Sequence, residues 1–110
     1  MSTPTRPLVV GVVQHDPEAD ELSRSKKRVA LALYARREGF ALHETFELYG
    51  DQDRDAPAIS DLGRLITDLP IDTVLVCGPV ETDRLGLSEF PDPLALRPVP
   101  PHDLRGAQDP

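Results

Sequence analysis

The chain has 110 residues, a formal net charge of -7 and a sequence pI near 4.8. That length suits one domain, and the acidic balance repels nucleic acid unless basic residues gather on one face. A single cysteine, Cys77, excludes an internal disulfide and suggests a reducing compartment. The opening apolar run is too short for a secretory leader or a membrane span, so the expected location is the cytoplasm.

Leu8 to Val13 is an apolar run of one leucine and four β-branched valines interrupted only by Gly11, as expected of a strand buried on both faces of a parallel sheet. Residues 1–7 before it are expected to be a flexible N-terminus. Asp16-Pro17 offers an N-cap followed by a favoured first helical residue, so a helix is expected to begin there or a few residues later. From Ser23 to Glu38 the helical pattern is clear, with Leu22, Val29, Ala30, Leu33 and Tyr34 forming the expected core stripe. Arg24, Lys26, Lys27, Arg28, Arg36 and Arg37 form the only basic concentration, expected to be a solvated helix face. Gly39 stands where a C-terminal cap belongs.

Phe40 to Tyr49 reads as a second strand and residues 50–55 as a polar, acidic loop. Pro57 is expected to open a second helix, with Ile59, Leu62, Leu65, Ile66 and Leu69 on its apolar stripe and Pro70 ending it. Thr73 to Cys77 is a third buried strand, closed by Gly78-Pro79. The order β-α-β-α-β implies an α/β domain with a central, mostly parallel sheet between helical layers, spanning residues 8–90. Six of the twelve prolines fall within residues 91–110, where apolar periodicity is absent. This stretch is expected to be a disordered Pro-rich tail.

The stretch Lys27-Arg28-Val29-Ala30-Leu31-Ala32-Leu33-Tyr34-Ala35-Arg36-Arg37-Glu38-Gly39 resembles the first helix of the serine recombinase (resolvase/invertase) catalytic domain. Three more segments agree in order and spacing. Val10 to Val13 is similar to that family's first strand, Ala56-Pro57-Ala58-Ile59 to its Arg-Pro-x-Leu helix entry, and Ile71 to Val76 to its Val-Asp-Val-Val-Leu-Val strand. The resemblance covers about Val9 to Val76 and implies a resolvase-like α/β fold. It also implies a serine that attacks a DNA phosphodiester, with arginines holding the phosphate by bidentate hydrogen bonds.

Positions matched to the family's Tyr-x-Arg-x-Ser are Val12, Gln14 and Asp16. Gln14 stands where an arginine is expected and Asp16 where the nucleophile is expected. A carboxylate there repels phosphate, and Asp16 reads better as a helix cap. Arg54 lies two residues early for the next family arginine, between Asp53 and Asp55, and reads as a loop charge. Arg84, in Asp83-Arg84-Leu85-Gly86-Leu87, keeps one family arginine while Leu87 replaces the other. The chain is expected to stop before the family's long dimerisation helix and its DNA-binding domain.

The expectation is therefore a degenerate resolvase-like domain, inactive in strand exchange, acting as an interaction or regulatory module or a relic. Gln14, Asp16, Arg54 and Arg84 mark the degenerate site; a protein partner is expected, with weak or absent DNA binding. The alternative is a nucleotide- or phosphate-binding protein using Gln14, His15, Asp16 and Asp51 at the strand ends. A third reading has the Pro-rich segment 91–101 docking on a partner. His15, His43 and His102 lack metal-ligand spacing, and Gly11 lacks a dinucleotide fingerprint, so neither metal nor cofactor is expected.

Overall fold

A computed structural model describes residues 6–78 and 95–100. The elements are β1 (Leu8–Gln14), α1 (Glu21–Arg37), β2 (Ala41–Leu48), α2 (Gln52–Asp68), β3 (Thr73–Cys77) and β4 (Ala95–Pro98). The four strands form one sheet in the order β2-β1-β3-β4, with every pairing parallel. Helix α1 covers one face and α2 the other, giving the three expected layers.

Strand β1 is central, and its composition explains why. Val10 and Val12 join Phe46, Leu48, Leu62, Ile66 and Val74 under α2. Val9 and Val13 join Leu31, Tyr34, Ala35, Leu75 and Cys77 under α1. All four valines are fully buried, so both faces of the strand are apolar, as a parallel sheet covered by helices requires. Gly11 between them has a packing role. A Cβ there would lie 2.5 Å from Leu31 Cδ2, so the bare glycine lets α1 settle close to the sheet. On the edge strand β2, the register with β1 shifts so that His43 is the extra, exposed residue of a bulge.

Helix α1 begins later than Asp16. Its N-cap is Asp20, whose carboxylate accepts the Ser23 N–H at 2.8 Å. Asp16 instead accepts the Glu18 N–H at 3.0 Å within an exposed turn. Local bonding to a backbone two residues on competes with helix at this position. The C-terminal stop falls at Gly39, with φ +80°. The Gly39 N–H reaches the Arg36 carbonyl and the Phe40 N–H reaches that of Ala35, a Schellman arrangement.

The buried face of α1 also differs from the expected stripe. Ala30, Leu31, Tyr34 and Ala35 are buried, while Leu22, Val29 and Leu33 are exposed. Both sets have helical spacing; the small alanines let the helix approach the sheet, and that selects their side. Helix α2 starts at Gln52, five residues ahead of Pro57, because Asp51 caps it by accepting the Asp53 and Arg54 N–H groups. Residues 52–55 are thus helical rather than loop, and Pro57 lies inside the helix.

Residues 95–100 depart from the expected tail and extend the domain beyond residue 90. Ala95 N–H bonds to the Asp72 carbonyl and Val99 N–H to that of Val76, both at 2.8 Å. Alternation along the strand turns the missing N–H of Pro98 away from β3, where the ladder needs no donor from it. Val99 is buried in the core under α1. Residues 1–5, 79–94 and 101–110, which include Arg84 and the remainder of the expected Pro-rich tail, lie outside the described residues.

Candidate functional site at the carboxyl ends of the strands

In a parallel sheet the loops after the strands gather at one edge, where ligands usually bind. Here that edge carries Gln14 ending β1 and His15 after it, Glu47 and Leu48 ending β2 and Tyr49 after them, and Cys77 ending β3. Alternation along β1 carries His15 to the same face as Val9 and Val13, beneath α1. Val13 pairs with Glu47 in register, so Glu47 lies on that face as well. His15 Nε2 and Glu47 Oε1 are 2.8 Å apart.

Helix α1 completes the cluster from above. Arg28 donates to Glu47 at 2.7 Å and to Glu21 at 2.7 Å. Arg24 donates to Glu21 at 2.8 Å and lies 3.5 Å from the Tyr49 hydroxyl. Lys27 Nζ donates to the Gln14 carbonyl at 2.9 Å. The basic concentration therefore divides. Arg24, Lys27 and Arg28 turn toward the sheet edge, contrary to the expectation of one solvated face, because two carboxylates and a strand-end carbonyl lie within their reach.

His15 is 2 % exposed and its ring lies 5.3 Å from that of Tyr49. Its Nδ1 is buried without a hydrogen-bond partner. Burial pushes its pKa below the ordinary imidazole value, against the pull of the Glu47 carboxylate. Burial alone would raise the Glu47 pKa, but the bonds from Arg28 and His15 outweigh it and hold the carboxyl below its usual range. The stable arrangement is a neutral imidazole bonded to an ionised Glu47. The Cys77 thiol is buried and its pKa is raised by that burial, so it is a poor nucleophile.

The residues singled out from the sequence are only partly brought together. Gln14 ends β1 with its side-chain amide donating to the His15 carbonyl at 3.2 Å, and a Cβ at Gly50 would lie 3.6 Å from that amide. Arg54, in the first turn of α2, stacks on the Tyr49 ring at 3.7 Å, so it is an ordered cation rather than a free loop charge. Gln14 and Arg54 thus border the same β2–α2 turn. Asp16 is exposed in its own turn, and Asp51 is committed to capping α2. Arg84 lies outside the described residues.

Asp55 is the residue that the sequence reading missed. It is 1 % exposed, and its two oxygens accept the Tyr49 N–H at 2.8 Å and the Gly50 N–H at 3.0 Å. It fastens the turn that carries Tyr49. The signal was a Gly-Asp-x-x-x-Asp pattern straddling the true start of α2.

Chemically, the charges of this cluster are largely satisfied internally, while His15 Nδ1 and Arg24 Nε are buried without a partner. The guanidinium forks and the ammonium that could meet a phosphate already hold Glu21, Glu47 and a backbone carbonyl. The one histidine in the cluster is sealed from solvent. No group of three or more His, Cys, Asp or Glu among the described residues could hold a metal ion, and no described helix is long and apolar enough to cross a membrane. A separate groove of about 530 Å³ is lined by Gln52, Ala56, Ile59 and Ser60 of α2, none of them ionisable. Comparison with protein-family models, curated proteins and solved structures finds no match.

Proposed function

We propose that the chain is a degenerate serine-recombinase-like domain that does not exchange DNA strands and serves as an interaction module in the cytoplasm. The observation that carries the reading is the occupied state of the cations at the strand ends. Arg24 and Arg28 are neutralised by Glu21 and Glu47 at 2.7–2.8 Å. A phosphate entering there must displace carboxylates already held by charge-assisted bonds. In the sequence, Asp16 falls at the position matched to the nucleophile, with an acid in place of an alcohol. The net charge of -7 opposes DNA further, which favours a protein partner.

The test is incubation of the full chain with supercoiled plasmid, quenching under denaturing conditions and electrophoresis. The expected result is no protein–DNA conjugate and no change in plasmid topology. A covalent conjugate would overturn the reading. The alternative, nucleotide or phosphate binding by Gln14, His15, Asp16 and Asp51, draws no support from a buried His15 and a capping Asp51. A reproducible rise in melting temperature with nucleotides or inorganic phosphate would promote it.

A further inference from the structure

At 100° per residue, Leu22, Val29 and Leu33 point within about 40° of one another on α1 and roughly 150° from the buried side. Their exposures are 63 %, 46 % and 53 %, so none of them serves this domain's core. The residues sharing that outer face are Ser25 and three cations, Lys26, Arg36 and Arg37, with Arg37 placed 5.4 Å over the Tyr34 ring. Three exposed apolar residues aligned on one helix face, with polar and charged residues around them, offer a docking surface.

The charge along the helix runs from one sign to the other. Asp16, Glu18, Asp20 and Glu21 are exposed at its N-terminal end and Arg36 and Arg37 at its C-terminal end. The apolar residues are spaced almost symmetrically about the Lys27–Arg28 peptide bond. An antiparallel second copy paired about that point would set Leu22 on its Leu33 and Val29 beneath the stem of its Lys26. Arg36 would reach past the first turn of the partner helix, toward the exposed acids Glu18 and Asp20 that precede it. The same contacts recur on the other side of the twofold axis, as an isologous interface requires. The two helix dipoles also oppose each other favourably.

We propose that the outer face of α1 is a homodimer interface, with a second copy of this chain packed antiparallel on Leu22, Val29 and Leu33. One helix pair about 16 Å long between Leu22 and Leu33 lies at the small end of specific interfaces. The association is therefore a reversible one. It is independent of the strand-exchange question, since these residues lie on the opposite side of α1 from the sheet.

Sedimentation velocity on the full chain, from about 1 to about 500 µM, should show a monomer passing to a dimer and to nothing larger. Leu33→Asp should raise the dissociation constant at least about tenfold with an unchanged circular dichroism spectrum. Arg36→Glu should weaken the dimer, and adding Glu18→Arg to it should restore association. A chain that stays monomeric throughout would overturn the proposal. So would a dimer indifferent to Leu33→Asp, a charge swap that recovers nothing, or a monomer that binds anionic lipid vesicles through this face.

Discussion

Replacing Asp55 tests how much of this fold hangs on one buried carboxylate. Its two oxygens satisfy the Tyr49 and Gly50 N–H groups at 2.8 and 3.0 Å, and it is 1 % exposed. Hydrogen bonds to charged groups contribute about 1.5–3 kcal/mol each. With Asp55→Ala both donors lose their acceptor, but the turn lies near the surface and water can reach part of it. The expected loss is therefore about 3 kcal/mol, a large share of a total stability of about 5–15 kcal/mol. For a domain of this size that lowers the melting temperature by roughly 12–24 °C. Asp55→Asn should fall about midway, since its amide can accept one N–H and must set its own NH2 against the other. Urea unfolding followed by far-ultraviolet circular dichroism measures both variants. A loss below about 0.5 kcal/mol for Asp55→Ala, the scale of an ordinary surface change, would refute the role assigned to this carboxylate.

Three further outcomes follow from the packing and charge. Gly11→Ala should cost about 1–3 kcal/mol by overpacking against Leu31, and combining it with Leu31→Ala should cost less than the two single losses added, as read in a double-mutant cycle. Pro57→Ala should stabilise α2 by about 1–3 kcal/mol by restoring a backbone donor inside the helix, measured by thermal unfolding. Because the folded His15 pKa is depressed by burial below its unfolded value of 6.5, the His15 contribution is complete above that pH. It is lost as the pH falls from there through the folded value. Urea titrations across this window should show a slope that His15→Gln flattens. The lowered carboxyl pKa of Glu47 gives a second loss of stability, beginning below its unfolded value of 4.5, which Glu47→Gln should reduce.

Strand β1, the Gly39 stop and the Thr73–Cys77 strand were legible in the sequence because each is a local pattern with one physical meaning. A β-branched run suits a strand covered on both faces, and a glycine after basic residues suits a left-handed cap. Helix α1 was legible as a helix, but its inward side only in part: Ala30 and Tyr34 are buried as the stripe predicts, while Leu22, Val29 and Leu33 are not. Leu22, Val29 and Leu33 have the same periodicity as Leu31 and Tyr34, and periodicity cannot weigh the closeness that alanines at 30 and 35 permit. The start of α2 was hidden because Asp51, Asp53 and Asp55 look like loop residues until one caps the helix and another turns inward. The prolines around β4 resemble a tail because a sequence does not show which N–H faces the neighbouring strand.

The candidate site was harder still. Gln14, His15 and Asp16 could be placed at the end of a strand, yet the partner of His15 is Glu47, 32 residues away. That pairing depends on the register of two parallel strands, which no local pattern states. Arg24 and Arg28 could be seen as basic residues on a helix; their attachment to Glu21 and Glu47 required knowing which way the helix turned.

The last described strand has a consequence for how the chain is completed. Arg97 donates to the Tyr34 hydroxyl at 2.7 Å and to Glu38 at 2.8 Å, so a residue of β4 locks onto the first helix. A nascent chain cannot close its sheet until Val99 has cleared the ribosome, and until then β3 offers a bare flank to any neighbouring strand. Closure of the sheet thus waits on its last described strand, and the interval before it is when this protein is most exposed to mispairing.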